Sequence, residues 1–307
     1  MKKWCLSLLI ALTGLAGRAQ HREPEGSNTL LWQISGNGMQ QPSYLFGTIH
    51  MLCKEDAVLS DSLLAIIGRC RSVYLEVDMD NLFEMVGMMS HLRMRGDTTL
   101  GDLLSPSDYQ KVKEYFANKG GMIPFSMLET FKPMLAMSTL EESDVPCENP
   151  VAMEQLIMEQ ARQHSKPIQG LETMAYQASL FDSIPYRLQA EQLVSYVDSL
   201  AAGDQGPARE FARLADAYRR QDLRQLEDLL NRDDETLARY ADLLLYNRNR
   251  NWVNKLGGLL GERTLLIAVG AGHLPGAKGL INLLRKAGYR VTPVRNEVHR
   301  GGTPDAT

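Results

Sequence analysis

Two stretches far apart in the chain each end an apolar run with the pattern Gly-x-x-His. The first, SYLFGTIHML, contains Gly47 and His50, and the second, TLLIAVGAGHLPG, contains Gly270, Gly272 and His273. Glycine lets a chain turn sharply or lets another group approach closely, and neutral imidazole is the commonest metal ligand in proteins. The repeated pattern therefore raises the question of whether the two histidines belong to one site.

Two carboxylates occur in comparable positions. Glu76 lies within the apolar run SVYLEVD, and Glu172 lies at the end of KPIQGLE. A carboxylate in an otherwise apolar strand is costly to bury without a partner. Two histidines together with one or two such carboxylates form a plausible nitrogen-and-oxygen ligand set for a divalent metal.

Each of these residues also has a simpler interpretation. A histidine after a glycine is commonly a turn or cap residue, Glu76 suits an arginine partner, and Glu172 suits a helix cap because ETMAYQ follows it.

GAGHLPG also resembles a dinucleotide loop, but that fingerprint requires further strands downstream and an acidic residue about 20 positions on. Only one strand candidate follows. The convergence of four residues at predicted strand ends favours a site.

The elements that would position these residues alternate between strands and helices. Apolar strand candidates occur at 30–35, 43–47, 72–78, 166–172, 264–270 and 289–294, the first two as a hairpin around Gly-Asn-Gly. Helical periodicity dominates two long inserts, at about 105–165 and 187–256. This pattern predicts an α/β fold with a mainly parallel sheet covered by helices on both faces. Ligands of such sheets bind at the carboxyl ends of the strands.

The first 19 residues, MKKWCLSLLIALTGLAGRA, have the composition of a secretory signal peptide. Two lysines precede a short apolar run, and Gly17 and Ala19 precede Gln20. Neither this run nor any later stretch reaches the roughly 18 apolar residues that a membrane helix needs. We expect an exported mature chain, periplasmic or secreted, with one domain over 20–295, a flexible tail over 296–307 and no membrane-spanning segment.

Charge and cysteine content narrow the class of protein further. Loss of residues 1–19 would change the formal net charge from −4 to −7, and no basic stripe is visible, so nucleic acid is not an expected partner. Cys53, Cys70 and Cys147 remain in the mature chain. One disulfide and one thiol are expected in an oxidising compartment, but the sequence does not select the pair.

Five motifs in order resemble those of the TraB/PrgY/GumN family, which includes the Tiki metalloproteases. They are YLFGTIHML, YLEVD, GLETMAYQ, LLYNRNRNW and AVGAGHLPG. The resemblance covers essentially the whole mature chain and implies a metal-dependent hydrolase with a fold related to ChaN and erythromycin esterase. One departure is AMEQLIMEQA, where Glu154 stands in place of an expected aspartate.

The resemblance also implies a set of site residues. His50, His273 and Glu76 correspond to metal ligands, with Gly47, Gly270 and Gly272 as motif glycines. An arginine of the pattern Arg-Asn-x-x-Trp aligns with Arg248, followed by Asn249, although Arg250 is a close alternative. In this interpretation Glu76 or Glu172 acts as the base, and Arg248 steadies negative charge on the substrate.

Two classes of function follow from these observations. The first is an exported metal-dependent hydrolase, most simply a peptidase, that uses a divalent ion such as Mn, Co or Zn. The second is a binding protein of the same fold that captures a peptide or small ligand without turnover, as a pheromone inhibitor does. A role in metal or haem handling rests only on the ChaN-like fold.

Overall fold

The computed structural model describes residues 28–120, 123–143, 145–232, 239–261 and 263–298. The predicted signal peptide lies outside these ranges, as does the tail from residue 299. Eight strands are present in them: β1 Leu31–Gly36, β2 Ser43–Thr48, β3 Leu52–Cys53, β4 Ser72–Leu75, β5 Pro150–Val151, β6 Ile168–Gly170, β7 Leu265–Gly270 and β8 Tyr289–Pro293.

Six of these strands form one sheet in the order β6-β4-β7-β2-β1-β8. The pairs β6–β4, β4–β7 and β7–β2 are parallel, while β1 is antiparallel to both β2 and β8. The β1–β2 hairpin and the mainly parallel sheet are thus as predicted. The short strands β3 and β5, which the sequence did not indicate, form a separate antiparallel pair.

The α-helices of the described residues surround this sheet. They are α1 Asp61–Arg69, α2 Leu82–Leu92, α3 Leu100–Leu103, α4 Pro106–Lys119, α5 Phe125–Leu128, α6 Pro133–Ser143, α7 Met153–Gln163, α8 Met174–Leu180, α9 Tyr186–Ala201, α10 Gly206–Arg219, α11 Leu223–Arg232, α12 Asn247–Gly257 and α13 Leu280–Lys286. Short 3₁₀ turns occur at Phe181–Ser183 and Ala271–His273, and a π-helical turn, Asp242–Tyr246, leads into α12.

Alternate residues of the central strands enter two hydrophobic cores. In β7, Leu266 and Ala268 pack with α1, α7, α10 and α11, whereas Ile267 and Val269 pack with α12 and α13. All six residues of β2 are buried, which is typical of a strand covered on both faces. Helices α4, α6 and α9 build a third core of their own, with Val112, Phe116 and Leu193. Parts of the two inserts therefore form a separate helical layer, whereas α7, α10, α11 and α12 of the same inserts pack against the sheet.

Three boundaries differ from the sequence-based expectation. Strand β4 ends at Leu75, opposite the last residue of β6, so Glu76 follows the strand and does not lie within it. The helical insert expected over about 187–256 contains a π-helical turn before α12, and its residues 233–238 lie outside the described residues. Asn296, the first residue of the predicted tail, is buried and exchanges hydrogen bonds with Gln221.

The cysteines form one disulfide, Cys53–Cys147, and leave Cys70 as a buried thiol. The disulfide joins β3 to the segment that precedes β5, across 94 positions of the chain. The expected combination of one bridge and one free thiol is present, and the tertiary structure determines which cysteine stays free.

Candidate active site

Each of four neighbouring parallel strands is followed closely by one of the four residues singled out from the sequence. Along one edge of the sheet, β6 leads to Glu172, β4 to Glu76, β7 to His273 and β2 to His50. The last residues of β2 and β7 are in register, because Thr48 pairs with Gly270. Both Gly-x-x-His motifs thus leave the sheet side by side at its carboxyl edge, where ligands of parallel sheets bind.

Arg248 links the two carboxylates. It is buried on α12, and its Nη2 contacts Glu76 Oε2 and lies 2.6 Å from Glu172 Oε1. Its Nε donates to the same Glu172 oxygen at 2.8 Å, and Nη1 donates to the Leu244 carbonyl and lies 3.2 Å from His273 Nε2. These contacts use all five N–H donors of the guanidinium. The expectation that Arg248 steadies charge on a substrate therefore does not suit this arrangement, in which Arg248 holds the carboxylates.

His273 has a fixed tautomer. The amide nitrogen of Asn249 donates to the backbone carbonyls of His273 and Lys278, so its Oδ1 is the atom that faces His273 Nδ1, at 2.6 Å. Because this oxygen only accepts, Nδ1 carries the proton and Nε2 offers its lone pair. Metal-binding histidines are usually oriented in this way. Asn249 thus orients the imidazole and is not itself placed to react.

Hydrogen bonds also fix both carboxylates. Glu76 Oε1 accepts the Gly270 amide at 2.8 Å, and Oε2 accepts from Gln177 Nε2 at 2.9 Å. Glu172 Oε2 accepts the indole N–H of Trp252 at 3.0 Å. The Trp252 ring also packs against His273, with ring centroids 4.5 Å apart.

The electrostatic surroundings give the two carboxylates opposite pKa shifts. Burial by itself would raise the pKa of Glu76, but His273 and the Arg248 guanidinium lower it to about 2. Burial raises the pKa of Glu172 against the opposing effect of Arg248. Burial lowers the pKa of His273 to about 4, so its imidazole is neutral near pH 7. Glu76 is therefore suited to bind a cation, and Glu172 is better suited to accept a proton.

Two of the three motif glycines, Gly47 and Gly270, lie where other side chains approach the backbone closely. A Cβ on Gly270 would lie 3.1 Å from Glu76 Oε1, and a Cβ on Gly47 would lie 3.1 Å from side-chain atoms of Leu30, Ala271 and Leu274. Gly270 has a φ of −47°, so it is not needed for a left-handed backbone. Here glycine allows the carboxylate of Glu76 to reach the end of β7.

His50 belongs to a different local cluster. Its Nδ1 lies 3.0 Å from Glu154 Oε1, and its side chain is 72% exposed. The hydrogen bond to Glu154 raises the pKa of His50, while solvent around the exposed ring limits the effect. One network of hydrogen bonds and ion pairs thus joins Glu76, Glu172, Arg248, Asn249 and His273. His50 lies at the end of the neighbouring strand, and within the described residues no hydrogen bond joins it to this network.

Sequence reasoning gave no site role to two contributors to this edge, Gln177 and Glu154, although Glu154 stood out as a departure from the family pattern. Glu154 is buried on α7 between Met153 and Ile157. An acidic residue on the apolar face of an amphipathic helix is a signal that could have identified it. Gln177 lies on α8, one turn after the Thr173 cap, and its place at the end of the motif GLETMAYQ is the signal that could have identified it.

The donor chemistry of the edge partly fits a divalent metal. His273 Nε2 and Glu76 Oε1 lie 3.7 Å apart, one imidazole is neutral with its tautomer fixed, and one carboxylate is ionised. Within the described ranges, no three His, Cys, Asp or Glu side chains form a ready ligand group. Arg248 Nη1 also contacts His273 Nε2, so that nitrogen cannot accept this hydrogen bond and bind a metal at once.

A cleft of about 460 Å³ opens beside Glu172. Its walls include Asn81, Glu84, Tyr176 and Lys255. Glu84 Oε2 also accepts the Met174 amide at 2.9 Å, which fastens α2 to the segment that carries Glu172. A substrate in this cleft would lie beside Glu172, the member of the network that lines it.

Residues 30–293 match the model of the TraB/PrgY/gumN family, and the chain belongs to this family. Among curated relatives, the protein named Metalloprotease TIKI1 of Danio rerio is 23% identical over 89% of this chain and 65% of its own length. Metalloprotease TIKI1 of Homo sapiens is 22% identical over 89% of this chain and 64% of its own length. For the Metalloprotease TIKI homolog of Nematostella vectensis the figures are 24%, 88% and 68%.

The chain spans 60–65% of the length of the fish, frog and human relatives that it matches. No solved structure matches it, so the ChaN-like fold stays a prediction from the resemblance. None of the helices in the described part of the chain has the length and apolar character needed to cross a bilayer.

Proposed function

We propose that this protein is a metal-dependent hydrolase that cleaves peptide bonds. The observation that carries the proposal is the order of Glu172, Glu76, His273 and His50 at four adjacent strand ends. The metalloprotease names of relatives at 21–24% identity support the same class of activity.

In this proposal His273, Glu76 and His50 would hold the metal ion, with Mn, Co or Zn as candidates, and His273 Nε2 would exchange its contact with Arg248 Nη1 for the metal. A bound divalent ion lowers the pKa of a bound water and polarises a carbonyl. The low pKa of Glu76 keeps it anionic at any working pH. The two Gly-x-x-His motifs then supply one ligand each from neighbouring strands.

The other residues of the network orient and move protons. Glu172, whose pKa is raised by burial, is the better candidate to accept a proton from the attacking water. Arg248 keeps the two carboxylates together and neutralises part of their charge, which would otherwise drive them apart. Asn249 keeps the proton on His273 Nδ1, and Trp252 restricts the ring from one side.

The test is to measure metal content and peptide hydrolysis in the wild type, His50→Gln and His273→Gln. Elemental analysis of the purified protein reports the metal, and a quenched fluorescent peptide library reports turnover. We expect a drop of roughly 10–100-fold in affinity or activity for each variant, as is typical when the ligation of a metal site is impaired. His91→Gln, at an exposed position on α2, is the matched control and should behave as the wild type. Full metal loading together with unchanged turnover in both test variants would contradict the proposal.

A second candidate, a binding protein that does not turn over its ligand, is favoured by the saturation of Arg248. Its five donors are used within the protein, and Glu76 and Glu172 are already paired. A closed ion-pair network of this kind can serve as a rigid wall for a bound peptide. Peptide affinity that survives chelation of all metal, without any cleavage, would favour this candidate.

A further inference from the structure

His50 combines an exposed ring with one fixed nitrogen. Its side chain is 72% exposed, yet Nδ1 is held 3.0 Å from Glu154 Oε1, and the carboxylate side chain is only 8% exposed. Exposed side chains that serve no purpose usually keep their rotamer freedom, because ordering them costs entropy. The fixed contact between the exposed imidazole and the buried carboxylate therefore needs an explanation.

Glu154 is itself held firmly. It lies in the first turn of α7, where the helix dipole favours a negative charge. Thr48 Oγ1, at the end of β2, donates to Glu154 Oε1 at 2.5 Å, so the same oxygen faces both the strand that carries His50 and the imidazole. The carboxylate is thus oriented before it meets the histidine.

The two segments that carry the pair are clamped together. Strands β3 and β5 pair Leu52 with Val151 and Cys53 with Pro150, and the disulfide joins Cys53 to Cys147. The Met153 amide also donates to the Ile49 carbonyl at 3.1 Å. These links lie on both sides of His50 and directly before Glu154, so the backbone holds the two segments next to each other.

We propose that Glu154 is a positioning residue for His50: it holds the proton on Nδ1, so that Nε2 is the nitrogen offered at the carboxyl edge of the sheet. The inference rests on the proposed function for its purpose, because an oriented Nε2 is what a ligand histidine must present. Its geometric part, the tautomer of His50, stands independently of any metal. Glu154 would then act on His50 as Asn249 acts on His273.

A role in fold stability alone does not account for this arrangement. Glu154 Oε2 is buried and has no hydrogen-bond partner among the described residues. Burying a carboxylate with one oxygen unpaired costs free energy. The cost is explained if the carboxylate is kept for its effect on His50.

The experiment measures the tautomer of His50 in the full chain labelled with ¹⁵N-histidine. Long-range ¹H–¹⁵N spectra distinguish Nδ1–H from Nε2–H imidazole, and the His50→Gln spectrum assigns the signal. Spectra are recorded at a pH where the ring is neutral. We expect Nδ1–H in the wild type and a shift to mainly Nε2–H in Glu154→Ala. Glu154→Gln should keep Nδ1–H, because its amide oxygen still accepts. Glu159→Ala, at an exposed position on the same helix, is the control.

A second measurement is Mn²⁺ and Zn²⁺ affinity by calorimetry. Glu154→Ala should bind roughly 10–100-fold more weakly than the wild type, with Glu154→Gln close to the wild type. If Glu154→Ala does not fold, Glu154→Leu fills the same volume and gives the same readouts. An unchanged Nδ1–H signal in the folded Ala or Leu variant would overturn the inference. Absence of metal binding by the wild type would overturn the proposed function instead, while the tautomer still decides the role of Glu154.

Discussion

Arg248 supplies the positive charge that offsets the two buried carboxylates of the site. It is the one buried cation that contacts both Glu76 and Glu172 in the described structure. Breaking a buried ion pair by removing one partner leaves an uncompensated charge and is strongly destabilising. The guanidinium is therefore as important for folding as for any chemistry at this edge.

We expect Arg248→Met to lower the free energy of unfolding by about 3–5 kcal/mol near neutral pH. Urea denaturation measures this change. Arg250→Met, at an exposed position two residues along the same helix, should cost less than about 0.5 kcal/mol. Equal effects of the two substitutions would show that the ion pairs of Arg248 do not matter for stability.

Gly270 offers a separate test of the close approach between β7 and Glu76. In Gly270→Ala the new Cβ would lie 3.1 Å from Glu76 Oε1, so the carboxylate must shift. We expect a destabilisation of about 1–3 kcal/mol and a loss of roughly 10–100-fold in metal affinity, measured by denaturation and calorimetry. Gly257→Ala is the control, because its Cβ would meet nothing within 4 Å. Wild-type affinity in Gly270→Ala would contradict the proposed need for glycine.

Among the elements, the turn between α8 and α9 depends on Asp182. Its carboxylate lies 2.9 Å from Nζ of the fully buried Lys132, 2.5 Å from the Tyr186 hydroxyl and 3.1 Å from Arg95 Nη2. Lys132 also donates to the Ala178 carbonyl at 2.8 Å. These bonds join α8, α9 and the start of α6, and they anchor the helical layer next to the strand that leads to Glu172.

This cluster predicts a pH dependence of stability. Burial opposes ionisation of Asp182, but the hydrogen bond from Tyr186 and the charge of Lys132 lower its pKa below the ordinary 3.8. A lowered folded-state pKa gives stability that is present above 3.8 and is lost as the pH falls through the folded-state value. Asp182→Asn should therefore lose stability near pH 6 and show a flatter decline below pH 4, measured by urea denaturation at each pH. Asp204→Asn, at an exposed position, is the control. A decline as steep as in the wild type would contradict the prediction.

For the molecule as a whole, the disulfide indicates the kind of compartment in which the protein folds. The Cys53–Cys147 bridge closes a long loop, and such bridges persist in oxidising compartments. We propose that the chain is exported and that residues 1–19 are removed near Ala19. N-terminal sequencing of protein recovered from the envelope or medium of a secreting host should begin near Gln20. Residues 1–19 found intact on that protein would contradict the proposal.

Six of the eight described strands, their alternation with helices and the four residues at the strand ends could be predicted from the sequence. Runs such as SYLFGT and LLIAVG are apolar without interruption because both faces of their strands are covered. Since ligands of parallel sheets bind at the carboxyl edge, the sequence also predicts that His50, His273, Glu76 and Glu172 share that edge.

The tertiary structure determines how these residues are divided between the Arg248 network and the His50–Glu154 pair, and what each one contacts. The strand order β6-β4-β7-β2 is not encoded in local periodicity, because it depends on how distant segments pack. The pairings of Arg248 with Glu76, of Asn249 with His273 and of Glu154 with His50 join residues 24 to 172 positions apart. Hydrogen bonds are directional and act over about 3 Å, so residue type and spacing cannot specify them until the backbone has placed both partners.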